Sequence, residues 1–220
     1  MISVAIDGPS GAGKSTLAKR LAKELGYLYV DTGAMYRSIG LYALRQGVDP
    51  KDEAAVTALL PQIQIELRYV NGAQRVLLCG EDVSEAIRAE NVGMATSAVS
   101  AHPPVRAFLL ELQRGMARTH DILMDGRDIG TVILPDATVK IFLTASAEAR
   151  ADRRFKELQE KGVATDYETV LEDIRQRDYQ DSHRATAPLR QAEDAVLVDT
   201  SDMDLEQSFQ AMKSVILSRV

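Results

Sequence analysis

The sequence contains no tryptophan, one cysteine and three histidines among its 220 residues. A lone Cys79 cannot form a disulfide within the chain, and His102, His120 and His183 are too scattered to indicate a metal site. No apolar run approaches the roughly 20 residues that span a bilayer, and no basic segment precedes the first apolar run as in a signal peptide. The formal net charge is −6, whereas domains that bind nucleic acid are usually basic. These absences argue against a membrane protein, a disulfide scaffold and a nucleic-acid-binding protein, and favour a cytoplasmic enzyme or binding protein.

Arginine is the unusual part of the charge. Most of the 26 basic residues are arginine, and eleven of those arginines lie between Arg106 and Arg190. The planar guanidinium group binds phosphate oxygens in pairs, which an ammonium group cannot do. This concentration of arginine is consistent with an anion site, and equally with a solvated face of ion pairs.

Short apolar runs alternate with helical patterns along most of the chain. The predicted strands cover residues 2–6, 27–30, 121–125, 139–143 and 196–198, and the predicted helices cover residues 14–25, 34–46, 103–118 and 205–217. Strands separated by helices predict an α/β fold in which helices flank a parallel sheet.

One segment breaks this alternation. Residues 62–69 alternate in period two, Asn71-Gly72 is a strong hairpin-turn signal, and residues 75–79 form a second run. We therefore expect a single domain over residues 1–220 that carries a small hairpin-containing insertion at about residues 62–93.

The stretch GPSGAGKST, residues 8–16, stands between the first predicted strand and the first predicted helix. It matches G-x-x-x-x-G-K-[ST], in which glycines let backbone N–H groups converge on phosphate oxygens and the helix directs the positive end of its dipole at the same anion. Lys14 can neutralise the β and γ phosphates, and the Ser15 hydroxyl can bind Mg2+. The motif predicts a P-loop NTPase fold in which the nucleotide phosphates contact Gly8, Pro9, Ser10, Gly11, Ala12, Gly13, Lys14, Ser15 and Thr16.

The phosphate loop alone does not define the reaction. The sequence contains neither the N-K-x-D nor the D-x-x-G tetrapeptide of GTPases, and it contains no second phosphate loop. The chain is also short for a motor or a transporter ATPase. A small phosphotransferase is favoured, and a nucleotide-dependent binding or regulatory module is the alternative.

Three further motifs follow the phosphate loop in order: DTGAMYR at residues 31–37, DGRDIGT at 125–131 and RDYQDSHRA at 177–185. Together with DGPSGAGKST they resemble the bacterial cytidylate kinases over essentially the whole chain, and the hairpin segment is similar to the enlarged region of that family that binds the nucleoside monophosphate. Each motif is short, and their joint order and spacing carry the resemblance. It implies a monomeric cytoplasmic enzyme of pyrimidine nucleotide metabolism that uses ATP and Mg2+ to convert CMP or dCMP into the diphosphate.

The resemblance also implies roles for individual residues. The CMP phosphate would contact Arg37, Arg127 and Arg184, the ribose Arg177 and Asp181, and the cytosine Thr32, Ser97, Arg106 and Asp128. An anionic acceptor repels ATP unless cations offset its charge, so Arg127 and Arg184 would act in the transfer together with Lys14. The spacing of Arg177, Asp181 and Arg184 predicts one helical face. On the residues alone, surface ion pairs and a helical salt-bridge ladder remain alternatives.

Asp125 ends an apolar strand. It resembles the strand-end acid that helps to hold Mg2+ in P-loop enzymes, directly or through water, beside Ser15. The alternative for Asp125 is an N-cap or turn residue of the DGRD segment.

A second arginine cluster lies at Arg150, Arg153 and Arg154, on one predicted helical face. It resembles the arginines of the short lid that closes over ATP in this family, at about residues 148–165. Arg153 and Arg154 would bind ATP and assist the transfer, and lid closure would exclude water. Glu148 and Glu157 flank the cluster, so a salt-bridged surface helix is the alternative.

Overall fold

The computed structural model of the chain describes residues 1–70 and 73–220, with the side chain of residue 73 left out. The elements in chain order are β1 (Ser3–Asp7), α1 (Lys14–Leu25), β2 (Leu28–Asp31), α2 (Thr32–Arg45), α3 (Glu53–Leu59), β3 (Ile65–Val70), β4 (Ala73–Leu78), β5 (Glu81–Asp82), α4 (Glu90–Val99), α5 (Pro103–Ala117), β6 (Ile122–Gly126), β7 (Val139–Thr144), α6 (Ala147–Glu160), α7 (Tyr167–His183), β8 (Val196–Asp199) and α8 (Leu205–Leu217). Short 3-10 turns cover Leu60–Gln62 and Ala86–Arg88, and a π-helical turn covers Ile129–Ile133.

The chain divides into two compact units, one formed by Met1–Tyr29 with His120–Val220 and the other by Val30–Thr119. Among the described residues, the main sheet has the strand order β2-β6-β1-β7-β8. In it β1 pairs in parallel with β6 and β7, and β7 pairs in parallel with β8. The predicted α/β fold with a parallel sheet and flanking helices is confirmed.

The core of the first unit lies between the sheet and helices α1 and α8. Leu17 and Leu21 of α1 and Phe209 of α8 pack in one cluster with Ile6 and Leu143 of the central strands, and all five are almost completely buried. The apolar spacing along α1 turns one face to the sheet, so its burial stabilises the helix that begins at the phosphate loop. The predicted bounds of α1 and α8 are confirmed, and the predicted strands of the parallel sheet agree to within one residue at each end.

The second unit contains the antiparallel sheet β3-β4-β5 and helices α2, α4 and α5. The register of β3 and β4 runs from the pair Ile65 and Leu78 to the pair Val70 and Ala73. The two predicted strands of the hairpin are therefore confirmed, while the predicted Asn71-Gly72 turn lies outside the described residues.

Helix α7 ends one residue before Arg184. The backbone of Arg184 is extended, with φ −63° and ψ 142°, and its N–H donates the last helical hydrogen bond to Gln180. The chain leaves the helix after Arg184, whose φ and N–H hydrogen bond are still those of a helical residue. The charges of Arg177 and Arg184 both act on Asp181, in agreement with the predicted grouping of these three side chains.

Candidate active site

The phosphate loop, residues 8–13, leads from the end of β1 into α1. Gly8 has φ +152°, and a Cβ added to it would lie 1.9 Å from the carbonyl oxygen of Leu143 in β7. Gly13 has φ +87° and is the N-cap of α1. Glycine is therefore required at Gly8 for close packing against the sheet and at Gly13 for a left-handed turn. The loop leads into the positive end of α1, where backbone N–H groups can bind an anion.

Lys14 is buried at the base of this loop. Its Nζ donates to the carbonyl oxygens of Gly8 at 2.7 Å and Pro9 at 2.6 Å. Burial lowers the pKa of Lys14 well below its ordinary value, and the positive charge of Arg127 lowers it further. An anion placed on the loop would stabilise the ammonium form, since an opposite charge nearby favours the charged state.

Three carboxylates act electrostatically on the ammonium group of Lys14. Asp125, Asp181 and Asp7 each oppose the lowering of the Lys14 pKa. The lysine and these acids thus form one electrostatic group at the end of the sheet.

Ser15 and Asp125 supply oxygen atoms next to the loop. The Ser15 hydroxyl donates to Asp125 Oδ2 at 2.8 Å, and the Tyr29 hydroxyl donates to Oδ1 of the same carboxylate at 2.9 Å. Asp125 lies inside β6 and is 4% exposed. A hydroxyl and a carboxylate are oxygen donors that Mg2+ accepts when phosphate oxygens and waters complete its shell, so these residues fit that ion. In the part of the chain that the structure describes, no group of three or more His, Cys, Asp or Glu side chains could hold a metal ion without such help.

Asp7, at the last position of β1, has a role that the sequence did not indicate. Its carboxylate accepts hydrogen bonds from the backbone N–H groups of Ile129 and Gly130, both at 2.7 Å. Burial raises the pKa of Asp7 to about 6, although these two hydrogen bonds oppose the change. Asp7 thus fixes the turn that directly follows Arg127 and Asp128. The only sequence signal for this role is the position of Asp7 directly before Gly8 of the phosphate loop.

Arg127 and Asp181 form an ion pair between the turn after β6 and helix α7. Arg127 Nε donates to Asp181 Oδ2 at 2.7 Å, and both side chains are largely buried. Burial alone would raise the pKa of Asp181, but the charge and hydrogen bond of Arg127, with the charges of Arg184 and Arg177, hold it below its ordinary value. Asp181 is therefore ionised at neutral pH and orients Arg127.

Arg184 and Asp128 make a second, looser pair. Arg184 Nη2 lies 3.6 Å from Asp128 Oδ1, and the two side chains are 9% and 5% exposed. Arg184 Nε donates to the carbonyl oxygen of Ala187 at 2.7 Å. The turn after α7 therefore holds Arg184, the C-cap of that helix, near the segment after β6.

The three arginines of α6 contact different partners. Arg150 is 3% exposed, whereas Arg153 and Arg154 are exposed. Arg153 Nη2 donates to the carbonyl oxygen of Thr200 at 2.5 Å, and Arg154 Nη1 donates to Glu157 Oε2 at 2.9 Å. All three arginines lie on α6 at the predicted helical spacing, but Arg150 is buried because it packs against the phosphate loop.

The second unit contains four of the predicted site residues. Thr32 is buried at the start of α2, whose N-terminus is capped by Asp31 accepting from the Ala34 N–H at 3.1 Å. Arg37 follows in the same helix, and its Nη1 lies 3.4 Å from the carbonyl oxygen of Ile87. The DTGAMYR motif is therefore a cap followed by the first turns of a helix.

Arg106 and Ser97 lie on neighbouring helices of that unit. Arg106, in the first turn of α5, is 8% exposed, donates to the carbonyl oxygen of Ser100 at 3.1 Å and lies over the ring of Tyr36 at 5.4 Å. Ser97 is half-buried in α4. Within the first unit, by contrast, the structure brings together Lys14, Ser15, Asp125, Arg127, Asp128, Asp181 and Arg184.

The phosphate loop lies between the first strand of a parallel sheet and the first helix. Next to it are two oxygen ligands suited to a cation, from Ser15 and Asp125, and two buried arginine–aspartate pairs. This arrangement defines a P-loop protein that binds nucleotide phosphates. The family model described as Cytidylate kinase matches residues 4–217. The chain belongs to the cytidylate kinase family, so it is a nucleoside monophosphate kinase, a phosphotransferase.

Curated relatives agree with the family model. A cytidylate kinase of Caldicellulosiruptor saccharolyticus is 50% identical over 209 residues, covering 95% of this chain and 92% of that protein. One of Enterococcus faecalis is 50% identical over 215 residues, covering 98% of this chain and 95% of that protein. Within the described residues, no helix has both the length and the apolar character needed to cross a membrane.

Proposed function

We propose that the protein transfers the γ-phosphoryl group of ATP to CMP or dCMP, giving ADP and CDP or dCDP, in pyrimidine nucleotide metabolism. The observation that carries this proposal is the grouping of Lys14 with Arg127 and Asp181. The charges of Arg127 and Asp181 both act on the Lys14 ammonium group. Lys14, the cation of the donor loop, and Arg127, a cation suited to an acceptor phosphate, thus belong to one electrostatic group.

The phosphate loop, Gly8 to Thr16, is the proposed ATP site. Lys14 now donates to two loop carbonyls, and on ATP binding its ammonium group would donate to β and γ oxygens instead. Ser15 would hold Mg2+, with Asp125 directly or through water. The ion would neutralise phosphate charge during the transfer.

Arg153 and Arg154 are proposed as ATP-binding lid residues, within a lid at about residues 148–165. Arg154 pairs with Glu157 at a position where both side chains are 48% exposed. Exposed ion pairs stabilise a protein by at most about 1 kcal/mol, so ATP phosphates could replace Glu157 at little cost. Closure would exclude water and prevent hydrolysis of ATP.

The acceptor phosphate is proposed to bind three arginines. Arg127 and Arg184 are each held by a carboxylate, Asp181 and Asp128 respectively, and Arg37 would provide the third guanidinium group. A guanidinium group already oriented by a carboxylate loses less freedom on binding phosphate. The acceptor phosphate is ionised at neutral pH, so no general base is required.

The nucleoside would be recognised through the remaining residues. Arg177 and Asp181 are assigned to the sugar hydroxyls, and the cytosine is assigned to Thr32, Ser97, Arg106 and Asp128. Cytosine offers an exocyclic N–H2 donor, for which a carboxylate or hydroxyl is the matching acceptor, and its N3 and O2 require a donor such as Arg106. The segment at about residues 62–93 is proposed to belong to the monophosphate-binding region.

The transfer itself would depend on alignment and charge. Lys14, Arg127 and Arg184 would hold the two phosphates in line and stabilise the charge that develops on the transferred group. We also propose that the protein acts as a monomer in the cytoplasm, on the ATP and CMP pools there.

A coupled assay of ADP formation with CMP, dCMP, UMP, AMP and GMP tests the proposal. CMP and dCMP should give the highest kcat/KM. Faster turnover of AMP or GMP would contradict the cytidylate assignment, and slow ATP hydrolysis without any acceptor would favour a regulatory nucleotide-binding module. Size-exclusion chromatography with light scattering tests the monomer.

A further inference from the structure

The guanidinium group of Arg150 is held by several buried polar contacts, which a lid arginine that binds ATP would not require. Its Nε donates to the carbonyl oxygen of Ala145 at 2.9 Å, and its Nη1 donates to the carbonyl oxygen of Ser10 at 3.0 Å. Its Nη1 and Nη2 also donate to both carboxylate oxygens of Asp178, at 2.9 and 2.5 Å. The guanidinium group thus joins the phosphate loop, the start of α6 and helix α7.

The contact with the phosphate loop is close along the whole side chain. A Cβ added to Gly11 would lie 3.5 Å from Cβ of Arg150 and 3.8 Å from its Cγ and Cδ. The aliphatic part of Arg150 therefore packs against the loop, and Asp178 orients the guanidinium group. With an exposed fraction of 4% for its side chain, Arg150 cannot reach solvent without breaking these contacts.

Asp178 lies on α7 three residues before Asp181, which pairs with Arg127. Residues three apart are neighbours on a helix surface. One turn of α7 therefore contacts the phosphate loop through Asp178 and Arg150, and the acceptor arginine through Asp181.

We propose that Arg150 and Asp178 are positioning residues that hold the phosphate loop in its ATP-binding conformation and link it to the turn of α7 that orients Arg127. Naming ATP as the ligand of the loop rests on the proposed function. The pair fixes the Ser10 carbonyl, so the loop N–H groups are oriented before the nucleotide arrives. Neither side chain needs to touch ATP.

The test compares ATP binding to wild type, Arg150→Lys and Asp178→Asn by calorimetry with Mg2+ and no acceptor, beside CMP binding and thermal unfolding. A lysine keeps the charge but cannot bind both carboxylate oxygens and the Ser10 carbonyl together. We expect Arg150→Lys to weaken ATP binding about 10-fold, equivalent to about 1.4 kcal/mol. CMP binding without ATP should change less than about 3-fold.

Arg175→Gln is the matched control, because Arg175 and Glu148 form an exposed ion pair of 2.9 Å between the same two helices. This variant should bind ATP as wild type does. If the control variant lost as much ATP affinity as Arg150→Lys, the proposal would be overturned. The loss would then follow from any weakening of the contact between α6 and α7. Lowered thermal stability with unchanged ATP affinity would also overturn it.

Asp178→Asn keeps the proposal testable if Arg150→Lys does not fold, because it retains Arg150 and the Ser10 contact. We expect a smaller loss of ATP affinity in the same direction, and unchanged affinity would contradict the pairing. These binding measurements do not require transfer to CMP. A wild type that binds ATP but phosphorylates no CMP would refute the proposed function while leaving the role of Arg150 to be judged on binding alone.

Discussion

Asp7 should make the protein lose stability as the pH rises from acidic to neutral values. The carboxyl group is 4% exposed, and burial raises its pKa from 3.8 to about 6 against the opposing hydrogen bonds from Gly130 and Ile129. A carboxyl with a raised folded-state pKa binds its proton more strongly in the folded protein. Its contribution to stability is therefore fully present below pH 3.8 and is lost as the pH rises through about 6.

The size of this effect follows from the pKa change. About two pKa units, at about 1.4 kcal/mol each, correspond to about 3 kcal/mol over the whole titration. About 2 kcal/mol of that falls between about pH 4.5 and pH 7, because the unfolded carboxyl is already mostly ionised at the lower end.

Urea denaturation of wild type and Asp7→Asn at several pH values measures the change, since the asparagine does not titrate. The free energy of unfolding of wild type minus that of the variant should fall by about 2 kcal/mol over this range. Asp181→Asn is the control. Although burial acts to raise the pKa of Asp181, Arg127 lowers it. Its stabilising contribution is therefore present above pH 3.8 and lost only as the pH falls through the lower folded value. A flat or rising difference for Asp7→Asn would refute the reasoning.

Three further predictions concern the loop, the metal and the sugar. Gly8→Ala should lower the free energy of unfolding by at least about 2 kcal/mol in urea denaturation, because its Cβ would lie 1.9 Å from the Leu143 carbonyl oxygen; an equal stability would contradict that contact. Ser15→Ala should raise the Mg2+ concentration needed for half-maximal activity, and an unchanged titration would remove Ser15 from the metal site. Asp181→Ala should raise KM for CMP and dCMP about 10-fold, since a hydrogen bond to a charged group contributes about 1.5–3 kcal/mol; unchanged KM values would remove Asp181 from the acceptor site.

The parts of the structure that depend on local sequence were predictable. The helix α1 follows from the spacing of Leu17 and Leu21 and from the glycines on either side, and the structure gives the predicted bounds. The strand β6 before the DGRDIGT motif follows from a short apolar run. In these cases periodicity and turn residues agree with the tertiary packing.

The parts that depend on long-range packing were not predictable. Helical spacing grouped Arg184 with Arg177 and Asp181 at the end of α7, but it did not show that Arg184 lies near Asp128 of the segment after β6. Spacing also grouped Arg150 with the exposed arginines of α6, but packing against the phosphate loop buries it on Asp178. A periodic pattern shows which residues share a face, and it does not show what that face contacts.

The most direct test of the central proposal follows labelled γ-phosphoryl from ATP in the presence of CMP, for wild type and Arg184→Lys. A lysine retains one charge but cannot bind two phosphate oxygens in the planar geometry of arginine. We predict that wild type moves the label into CDP, and that Arg184→Lys loses most of this transfer while its free energy of unfolding stays nearly the same. Label released as inorganic phosphate by wild type, or normal transfer to CMP by Arg184→Lys, would contradict the proposed acceptor site.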